Sequence, residues 1–383
     1  MLKILTIVGA RPQFIKAAAI NRAIKSQFSN SLQEYILHTG QHYDDNMSKI
    51  FFDELGIHKP NVNLNIGSKE YELQIKEMQQ GIEKVIIDEK PNVVLVYGDT
   101  NSTHAGALAG SKMNLPVIHI EAGLRSFNNV MPEEKNRIVA DELSSMLFCP
   151  TNTAVQNLEK EGFKHSPKQP FTKTQKAIYH CGDVMFDNSL HFEKLANQNS
   201  DILKCNNLTE GEFILATVHR GYNTDNADRL SSIFKSFISI SNQHNIKIVI
   251  PLHPRTEKAL NGKEHKDLFE ELTANKNVLL LEPVSFLDMI ALESNCRMVM
   301  TDSGGVQKES FFFRKPCVVL RTETEWVELI ENGNNVLAVQ SEDRIVTACN
   351  SLLSKNDFTF PSFYGDGKAA HFICEKLISN IAS

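Results

Sequence analysis

The sequence predicts an α/β protein made of two Rossmann-like halves of similar size. Short apolar, β-branched runs alternate with segments of helical length, beginning at LKILTIVG, and the same rhythm restarts at FILATVHR. Runs that are apolar on both faces are typical of parallel strands covered by helices on each side. With 383 residues, of which 42% are hydrophobic, the chain is long enough for two separate cores.

The strands can be followed in order because turn or polar residues bound each apolar run. The first half contains LKILTIVG, EYILHTG, NVVLVYGD, LPVIHIEAG, SMLFCPT and AIYHCGD, and the second contains FILATVHR, IKIVIPLHP, NVLLLEP, RMVMTDSGG and PCVVLR. Almost every run ends in Gly, His, Asp, Glu or Pro. Because open α/β sheets bind ligands at the carboxyl ends of their strands, we expect the polar site there. The boundary between the two halves falls near residues 182–188, which predicts one domain over 1–182 and a second over 183–365.

Charge and composition limit the kind of partner. The formal net charge is −6, which gives no overall attraction to nucleic acid or to an anionic membrane, so a small polyanion is the better ligand. The apolar run at the N-terminus is too short for a signal peptide or a membrane span. The seven cysteines are scattered and form no CxxC pair or Cys/His cluster, which predicts reduced thiols, a cytoplasmic protein and no metal site. The polar segment 163–176 reads as an exposed loop with solvated lysines.

Two strand-to-helix turns are candidate phosphate sites. GARPQFIK follows the first strand and places Arg11 and Lys16 beside the free N–H groups of a helix start. The alternative is a tight turn with both cations in solvent. TDSGG repeats the arrangement in the second half, with Ser303 as a hydroxyl donor and Gly304 and Gly305 leaving room for phosphate oxygens. One such turn is a weak signal, whereas two, one in each domain, favour a ligand clamped across a cleft.

Acidic and imidazole side chains gather at other strand ends. Asp99 and Glu121 close neighbouring strands, and Glu133 lies in the following MPEEKNR segment. Unpaired carboxylates beside an anion site would repel the ligand, so they indicate chemistry more than binding. The alternative is structural: an N-cap at Asp99, with salt bridges from the acids to Arg125 and Arg137. In the second half, His219-Arg220 and His253-Pro254-Arg255 end strands and bring positive charge, with histidines able to titrate near neutral pH.

The chain resembles the non-hydrolysing UDP-N-acetylglucosamine 2-epimerase family through GARPQFIK, TGQHYD, YGDTNST, IEAGLR, MPEEKNR, VHR, TDSGGVQKE and YGDG. The resemblance implies a GT-B type fold, two Rossmann-like domains with a central cleft, in which residues 366–383 form a helix crossing back to the first domain. It also implies a UDP-sugar substrate, no cofactor and a homodimer that supplies precursors for surface polysaccharide.

The same resemblance assigns roles to individual residues. The catalytic set is Asp99, Glu121, Glu133 and His219. The residues implied to bind the diphosphate are Arg11, Lys16, Ser303, Gly304 and Gly305, and the residue implied to bind the ribose is Glu309. Gln41 and Arg137 are implied to lie near the sugar. Four further positions implied to bind substrate are Arg220, His253, Phe286 and Arg321.

Four segments depart from the commonest family pattern. GARPQ stands for GTRPE, HRGYN for HRREN and TEWVE for TERPE, and the loop RSFNNVMPEE is shortened. These changes are expected around the sugar, with Gln13, the loop 126–131 and Trp326 selecting it. They resemble a branch that acts on UDP-2,3-diacetamido-2,3-dideoxyglucuronate.

The reaction implied is inversion of sugar carbon 2 by elimination and return of UDP. Three alternatives remain: a hydrolysing 2-epimerase that releases UDP and free sugar, a glycosyltransferase of the same fold, and a nucleotide-sugar-binding regulator.

Overall fold

The computed structural model describes residues 1–41, 56–57, 59–128, 130–338 and 341–381. The chain divides into two compact units, one formed by Met1–Asn188 with Ser362–Ser383 and the other by Ser189–Pro361. Among the described residues no helix combines the length and the apolar character needed to cross a membrane.

The first unit is built on a seven-stranded parallel sheet with the order β3-β2-β1-β4-β5-β6-β7. Its strands are β1 Leu2–Val8, β2 Leu32–His38, β3 Val62–Asn63, β4 Val93–Tyr97, β5 Val117–Ile120, β6 Met146–Cys149 and β7 Ala177–His180. Helices and one π-helical turn connect them: α1 Arg11–Ala23, the π turn Ile24–Phe28, α2 Tyr71–Glu89, α3 Asn101–Lys112, α4 Pro132–Leu143 and α5 Asn152–Lys160. A last helix, α16 Ala369–Ile381, also belongs to this unit. Helix α6 Val184–Asn199 begins in this unit and continues into the second.

The second unit has a six-stranded parallel sheet with the order β10-β9-β8-β11-β12-β13. Its strands are β8 Phe213–Thr217, β9 Lys247–Pro251, β10 Val278–Leu281, β11 Met298–Thr301, β12 Cys317–Val319 and β13 Asn335–Leu337. The helices are α7 Ile202–Cys205, α8 Gly221–Thr224, α9 Ala227–His244, α10 Pro254–Leu260, α11 Lys266–Ala274, α12 Phe286–Asn295, α13 Gly304–Phe312, α14 Val327–Glu331 and α15 Glu342–Ser354, with a 3₁₀ turn at Lys263–His265.

Both sheets have the doubly wound strand order of a Rossmann fold. The direction of winding reverses between β1 and β4 in the first unit and between β8 and β11 in the second. Every residue of β4 and of β8 is buried, which explains why these central strands are apolar on both faces. The predicted class, an α/β protein with two Rossmann-like domains, is confirmed. The reversal points are where ligands bind in such sheets, and they carry the turns predicted to bind phosphate.

The segment 163–176 differs from its predicted character at its last residue. Lys176 is 5% exposed, and its ammonium group donates to the carbonyl oxygens of Asp141, Glu142 and Ser144 at the end of α4. Burial lowers the pKa of Lys176 to about 8. The expectation of solvated lysines is therefore wrong at this position, because the end of α4 leaves carbonyl groups that the lysine satisfies.

A buried carboxylate joins the start of α16 to α6. The oxygens of Asp187 accept hydrogen bonds from the N–H groups of Ala369 (3.1 Å) and Ala370 (2.8 Å). Burial is the main cause that raises the pKa of Asp187 to about 6. Repulsion from Asp183 adds to it, while the two N–H donors and Arg22 act in the opposite direction.

Asp187 should therefore make stability depend on pH. Because its folded pKa lies above the ordinary value of 3.8, its contribution is complete below about pH 4 and is lost as the pH rises through 6. We expect the free energy of unfolding of the wild type to fall by about 3 kcal/mol relative to Asp187→Asn between pH 4 and 7. Chemical denaturation across this range measures the difference. Asp88→Asn, at an exposed position of α2, is the control, and equal pH profiles for Asp187→Asn and the wild type would contradict the assignment.

Candidate active site

The turn after β1 is closed by its own glutamine. The side-chain oxygen of Gln13 accepts hydrogen bonds from the N–H groups of Gly9 (2.9 Å) and Ala10 (3.1 Å). Its amide nitrogen donates to the carbonyl oxygen of Tyr97 and to the hydroxyl of Thr103. The prediction that these N–H groups are open to a diphosphate is therefore wrong for Gly9 and Ala10. Gln13 is 1% exposed and bonded within the protein, and its predicted role in selecting the sugar stays a prediction.

The two cations of this turn lie in different surroundings. Arg11 is exposed at the first position of α1, and its contact with a diphosphate stays a prediction. Lys16 is buried one helical turn further on, and its Nζ lies 2.6 Å from Oε1 of Glu121. Lys16 is thus paired with a predicted catalytic carboxylate, a partnership that the sequence interpretation did not include.

Asp99 and Glu121 meet at the carboxyl edge of the first sheet. Asp99 follows β4 and Glu121 follows β5, and these two strands pair directly. The N–H of Gly98 donates to the carbonyl oxygen of Ile120 (2.9 Å), so the residues that precede the two acids are bonded to each other. Glu121 has a φ of +70°, a left-handed conformation that is uncommon outside glycine and that often marks functional positions.

Each of these acids has a cationic partner. The guanidinium of Arg137 places Nε at 3.0 Å and Nη2 at 2.5 Å from Oδ2 of Asp99. Glu121 has the ammonium of Lys16. The expectation of unpaired carboxylates is therefore wrong, because burial at this sheet edge requires compensating charge. The bridge from Arg137 to Asp99 matches part of the structural alternative, but the N-cap of α3 is Thr100, whose side chain accepts from the N–H of Thr103.

The two glutamates at the start of α4 have separate roles. Glu134 is buried and accepts hydrogen bonds from the N–H groups of Ser126 and Phe127 and from Arg137, and thereby holds the loop that precedes the helix. Burial opposes ionisation of Glu134, but these hydrogen bonds outweigh it and lower its pKa. Glu133 is half-buried. Burial of Tyr71 is the main cause that raises the pKa of Tyr71, and the negative charge of Glu133 adds to it. Glu133 therefore remains the available carboxylate of this pair.

Gln41 contacts the start of α3. Its side-chain oxygen accepts from both the N–H (3.1 Å) and the hydroxyl (2.8 Å) of Ser102. The hydroxyl of Thr39 is 2.8 Å from that of Ser102. Gln41 thus lies at the same edge of the sheet as Asp99, and its contact with a sugar stays a prediction.

In the second unit a buried aspartate organises the histidine turn. Asp302 is fully buried and accepts hydrogen bonds from the N–H groups of His219 and Arg220 and from the side chain of Asn223. Its Oδ1 also lies 3.2 Å from Nδ1 of His219. His219 and His253 have ring centroids 5.6 Å apart. Sequence interpretation missed Asp302, although its position directly after β11 is the same signal that identified Asp99.

The Ser303 turn keeps the character expected of an anion site. Ser303 caps α13 by accepting from the N–H of Val306, and Gly304 and Gly305 occupy the first helical turn, where N–H groups have no carbonyl partner within the helix. Glu309 is buried further along this helix. Burial, with the charge of Glu309, raises the pKa of Glu293 well above its ordinary value.

The segment after β12 packs on this turn. The indole N–H of Trp326 donates to the carbonyl oxygen of Gly304 (3.1 Å), and Nζ of Lys308 lies 4.1 Å from the centre of the indole ring. Arg321 forms an ion pair with Glu325 (3.1 Å). Trp326 therefore lies against the predicted diphosphate turn, and its role in selecting the sugar stays a prediction.

Three residues predicted to bind substrate have contacts within the protein. His253 is exposed, and its Nδ1 accepts from the N–H of Arg255 as the N-cap of α10. Phe286 is 7% exposed and packs edge-on against Phe192, with ring centroids 5.0 Å apart. Arg220 is exposed, and its backbone is held by a buried carboxylate. Their contacts with substrate stay predictions.

The chain is similar to one known protein family over most of its length. The family model described as UDP-N-acetylglucosamine 2-epimerase matches residues 24–378. A UDP-N-acetylglucosamine 2-epimerase homolog of Methanococcus maripaludis is 47% identical over 377 residues, 98% of this chain and 99% of that protein. The UDP-2,3-diacetamido-2,3-dideoxy-D-glucuronate 2-epimerase of Pseudomonas aeruginosa has the same identity over the same shares of both chains.

Solved structures show the same similarity. The UDP-GlcNAc 2-epimerase of Methanocaldococcus jannaschii, crystallised with UDP-GlcNAc and UDP, is 39% identical with a TM-score of 0.84 and covers 99% of this chain and 100% of its own. A ugt transferase of Siraitia grosvenorii in complex with UDP, 8% identical with a TM-score of 0.61 over the full length of both chains, shares only the GT-B type fold. The extent of the family match and the identity of the relatives show that this chain belongs to the UDP-N-acetylglucosamine 2-epimerase family.

Proposed function

We propose that the protein epimerises a UDP-activated N-acetylated sugar at carbon 2 by eliminating and re-adding UDP. The observation that carries this proposal is the pairing of Asp99 with Arg137 and of Glu121 with Lys16 at the end of two adjacent strands. Two carboxylates held at one sheet edge supply the base and the acid that inversion of a carbon centre requires. Family membership supports the same reaction.

The chemistry follows from the weak acidity of the hydrogen on carbon 2. No carbonyl group adjoins that carbon, so the bond from carbon 1 to the UDP oxygen must break first and leave positive character on the ring. A carboxylate then takes the proton from carbon 2, and the electron pair of the C–H bond forms the double bond of a 2-acetamidoglucal. Reprotonation of carbon 2 from the opposite face and return of UDP to carbon 1 complete the inversion. Asp99 with Glu121 or Glu133 supplies the two proton-transfer groups.

In this proposal each unit has its own role. The first holds the sugar chemistry, with Gln41 and Arg137 near the sugar. The second holds UDP through the Ser303 turn, with Glu309 as the ribose ligand and His219 beside the leaving diphosphate. The N–H groups of Gly304 and Gly305 support this assignment because they can stabilise the negative charge that develops on departing UDP. Arg11 adds a cation from the first unit.

The family resemblance supports a homodimer that acts in the cytoplasm on precursors of surface polysaccharide. The 47% identity to the Pseudomonas aeruginosa enzyme favours a second substrate candidate, UDP-2,3-diacetamido-2,3-dideoxyglucuronate, beside UDP-GlcNAc. Comparison of kcat/KM for the two nucleotide sugars separates these candidates.

Isotope exchange in deuterium oxide tests the reaction itself. Without an acceptor, we expect deuterium to enter carbon 2 and the two epimers to appear as UDP-linked sugars in the NMR spectrum. Both candidate substrates should be assayed side by side.

The other outcomes identify the rival functions. Free sugar and free UDP in equal amounts would show a hydrolysing epimerase. Absence of exchange on either nucleotide sugar, with UDP released and the sugar transferred only when an acceptor is added, would show a glycosyltransferase. Tight binding of both compounds without turnover would show a binding protein and overturn the proposal.

A further inference from the structure

His119 is a fully buried histidine of β5, two residues before Glu121, and both of its ring nitrogens are engaged. Its Nδ1 lies 2.7 Å from Oδ1 of Asp141, a fully buried carboxylate of α4. Its Nε2 lies 2.8 Å from the carbonyl oxygen of Gly98. The ring therefore spans from the helix that carries Glu133 to the peptide that precedes Asp99.

The carbonyl partner of the ring defines one of its hydrogens. A carbonyl oxygen only accepts, so Nε2 carries a hydrogen that it donates to Gly98. The carboxylate of Asp141 holds the other side of the ring and is contacted by Nη1 of Arg125 (2.8 Å) and by the N–H of Gly123 (3.2 Å). Burial opposes ionisation of Asp141, but its contacts with His119 and Arg125 outweigh it and lower its pKa.

Further contacts fix Asp141, the carboxylate that holds the ring. Arg125 contacts Asp141 through Nη1 and is also paired with Glu161 through Nε (2.6 Å). The ammonium of Lys176 donates to the backbone carbonyl of Asp141. Asp141 is therefore anchored through both its side chain and its backbone.

The position of His119 connects this cluster to the candidate acids. Both backbone groups of Gly98 are held by hydrogen bonds. Its N–H donates to the carbonyl oxygen of Ile120, and its carbonyl oxygen accepts from Nε2 of His119. Asp99 directly follows Gly98 in the chain, and Glu121 directly follows Ile120. A shift of the Gly98 peptide would thus move one carboxylate relative to the other.

We propose that His119, held by Asp141, is a positioning residue that fixes Gly98 and so the relative placement of the Asp99 and Glu121 carboxylates. This inference rests on the proposed function for its kinetic consequence. The hydrogen bond from the ring to Gly98 is independent of that function.

Two variants test the hydrogen bond to Gly98. His119→Leu removes both hydrogen bonds of the ring, whereas His119→Gln keeps an amide donor. We expect kcat for exchange at carbon 2 to fall about 100-fold in His119→Leu, the loss typical of a small misplacement of reacting groups. His119→Gln should recover about tenfold of that loss, with UDP affinity by calorimetry unchanged in both. His180→Gln, at an exposed histidine ending β7 of the same sheet, should behave as the wild type.

A spectroscopic measurement on the wild type completes the test. In ¹⁵N-histidine-labelled protein, Nε2 of His119, assigned with His119→Gln, should carry a hydrogen. An Nε2 without a hydrogen would overturn the proposal even if the variants fold poorly. Wild-type exchange rates in folded His119→Leu would overturn the positioning role. If the wild type itself shows no exchange at carbon 2, the proposed function fails and the positioning role fails with it, but the NMR result still decides whether the ring donates to Gly98.

Discussion

Asp99→Asn is expected to bind UDP as tightly as the wild type while exchange at carbon 2 slows by about 10²- to 10⁴-fold, the range for a lost general acid or base. The amide keeps the shape of the carboxylate and one oxygen that can accept from Arg137, which now contacts Oδ2 through two nitrogens. It cannot take up a proton from carbon. Glu121→Gln should behave in the same way, because its amide oxygen can still accept from Lys16. Calorimetry with UDP and deuterium exchange measure the two effects separately.

A purely structural role for these ion pairs predicts another pattern, in which stability is lost and the folded fraction keeps its activity. Asp228→Asn, at an exposed position in the first turn of α9, is the matched control for loss of one carboxylate. If Asp99→Asn and Glu121→Gln both keep the melting temperature of the wild type and exchange at its rate, neither acid transfers a proton.

Gly98→Ala should abolish most of the activity without removing any functional group. Gly98 has a φ of +59°, and a Cβ atom there would lie 3.0 Å from Nζ of Lys16 and 3.2 Å from Oε1 of Glu121. The added methyl group must therefore shift the ends of this ion pair by a few tenths of an ångström. We expect exchange at carbon 2 to fall by about tenfold, because the rate depends steeply on the placement of reacting groups. The left-handed backbone should add about 1–2 kcal/mol of destabilisation.

Gly162→Ala provides the control for the backbone effect alone. Gly162 has a φ of +89° in the same unit, and no atom lies within 4 Å of the position its Cβ would take. It should lose similar stability and keep its exchange rate. Equal rates for Gly98→Ala and Gly162→Ala would show that the Lys16–Glu121 pair is not needed in its present place.

The sequence was sufficient for the fold and for the edge where the site lies. Apolar runs that alternate with segments of helical length predict parallel strands. The carboxyl ends of adjacent parallel strands lie at one edge of the sheet, so Asp99 and Glu121 could be grouped from the sequence. Their partners could not be predicted, because Lys16 is 105 residues from Glu121 and Arg137 is 38 residues from Asp99. Such pairings depend on side-chain directions that no local pattern encodes.

Three residues have structural contacts that the sequence does not predict. Gln13, Lys176 and Trp326 each complete hydrogen bonds of nearby backbone. Backbone groups left over at helix ends and turns must find partners, and the side chain that supplies them is set by packing. His119 and Asp302 were missed for the same reason: their role is visible only through the peptides they hold.

The left-handed backbone at Glu121 has a consequence for the evolutionary history of the chain. A glutamate with a φ of +70° is held there by its bond to Lys16 and by the N–H groups of Glu121 and Ala122, which both donate to Phe148. A descendant that had lost the activity would relieve the strain by acquiring glycine at 121, but Lys16 would then be a buried cation without its carboxylate. The two positions should therefore mutate together in inactive lineages, and a homologue that retains only one of them should be rare.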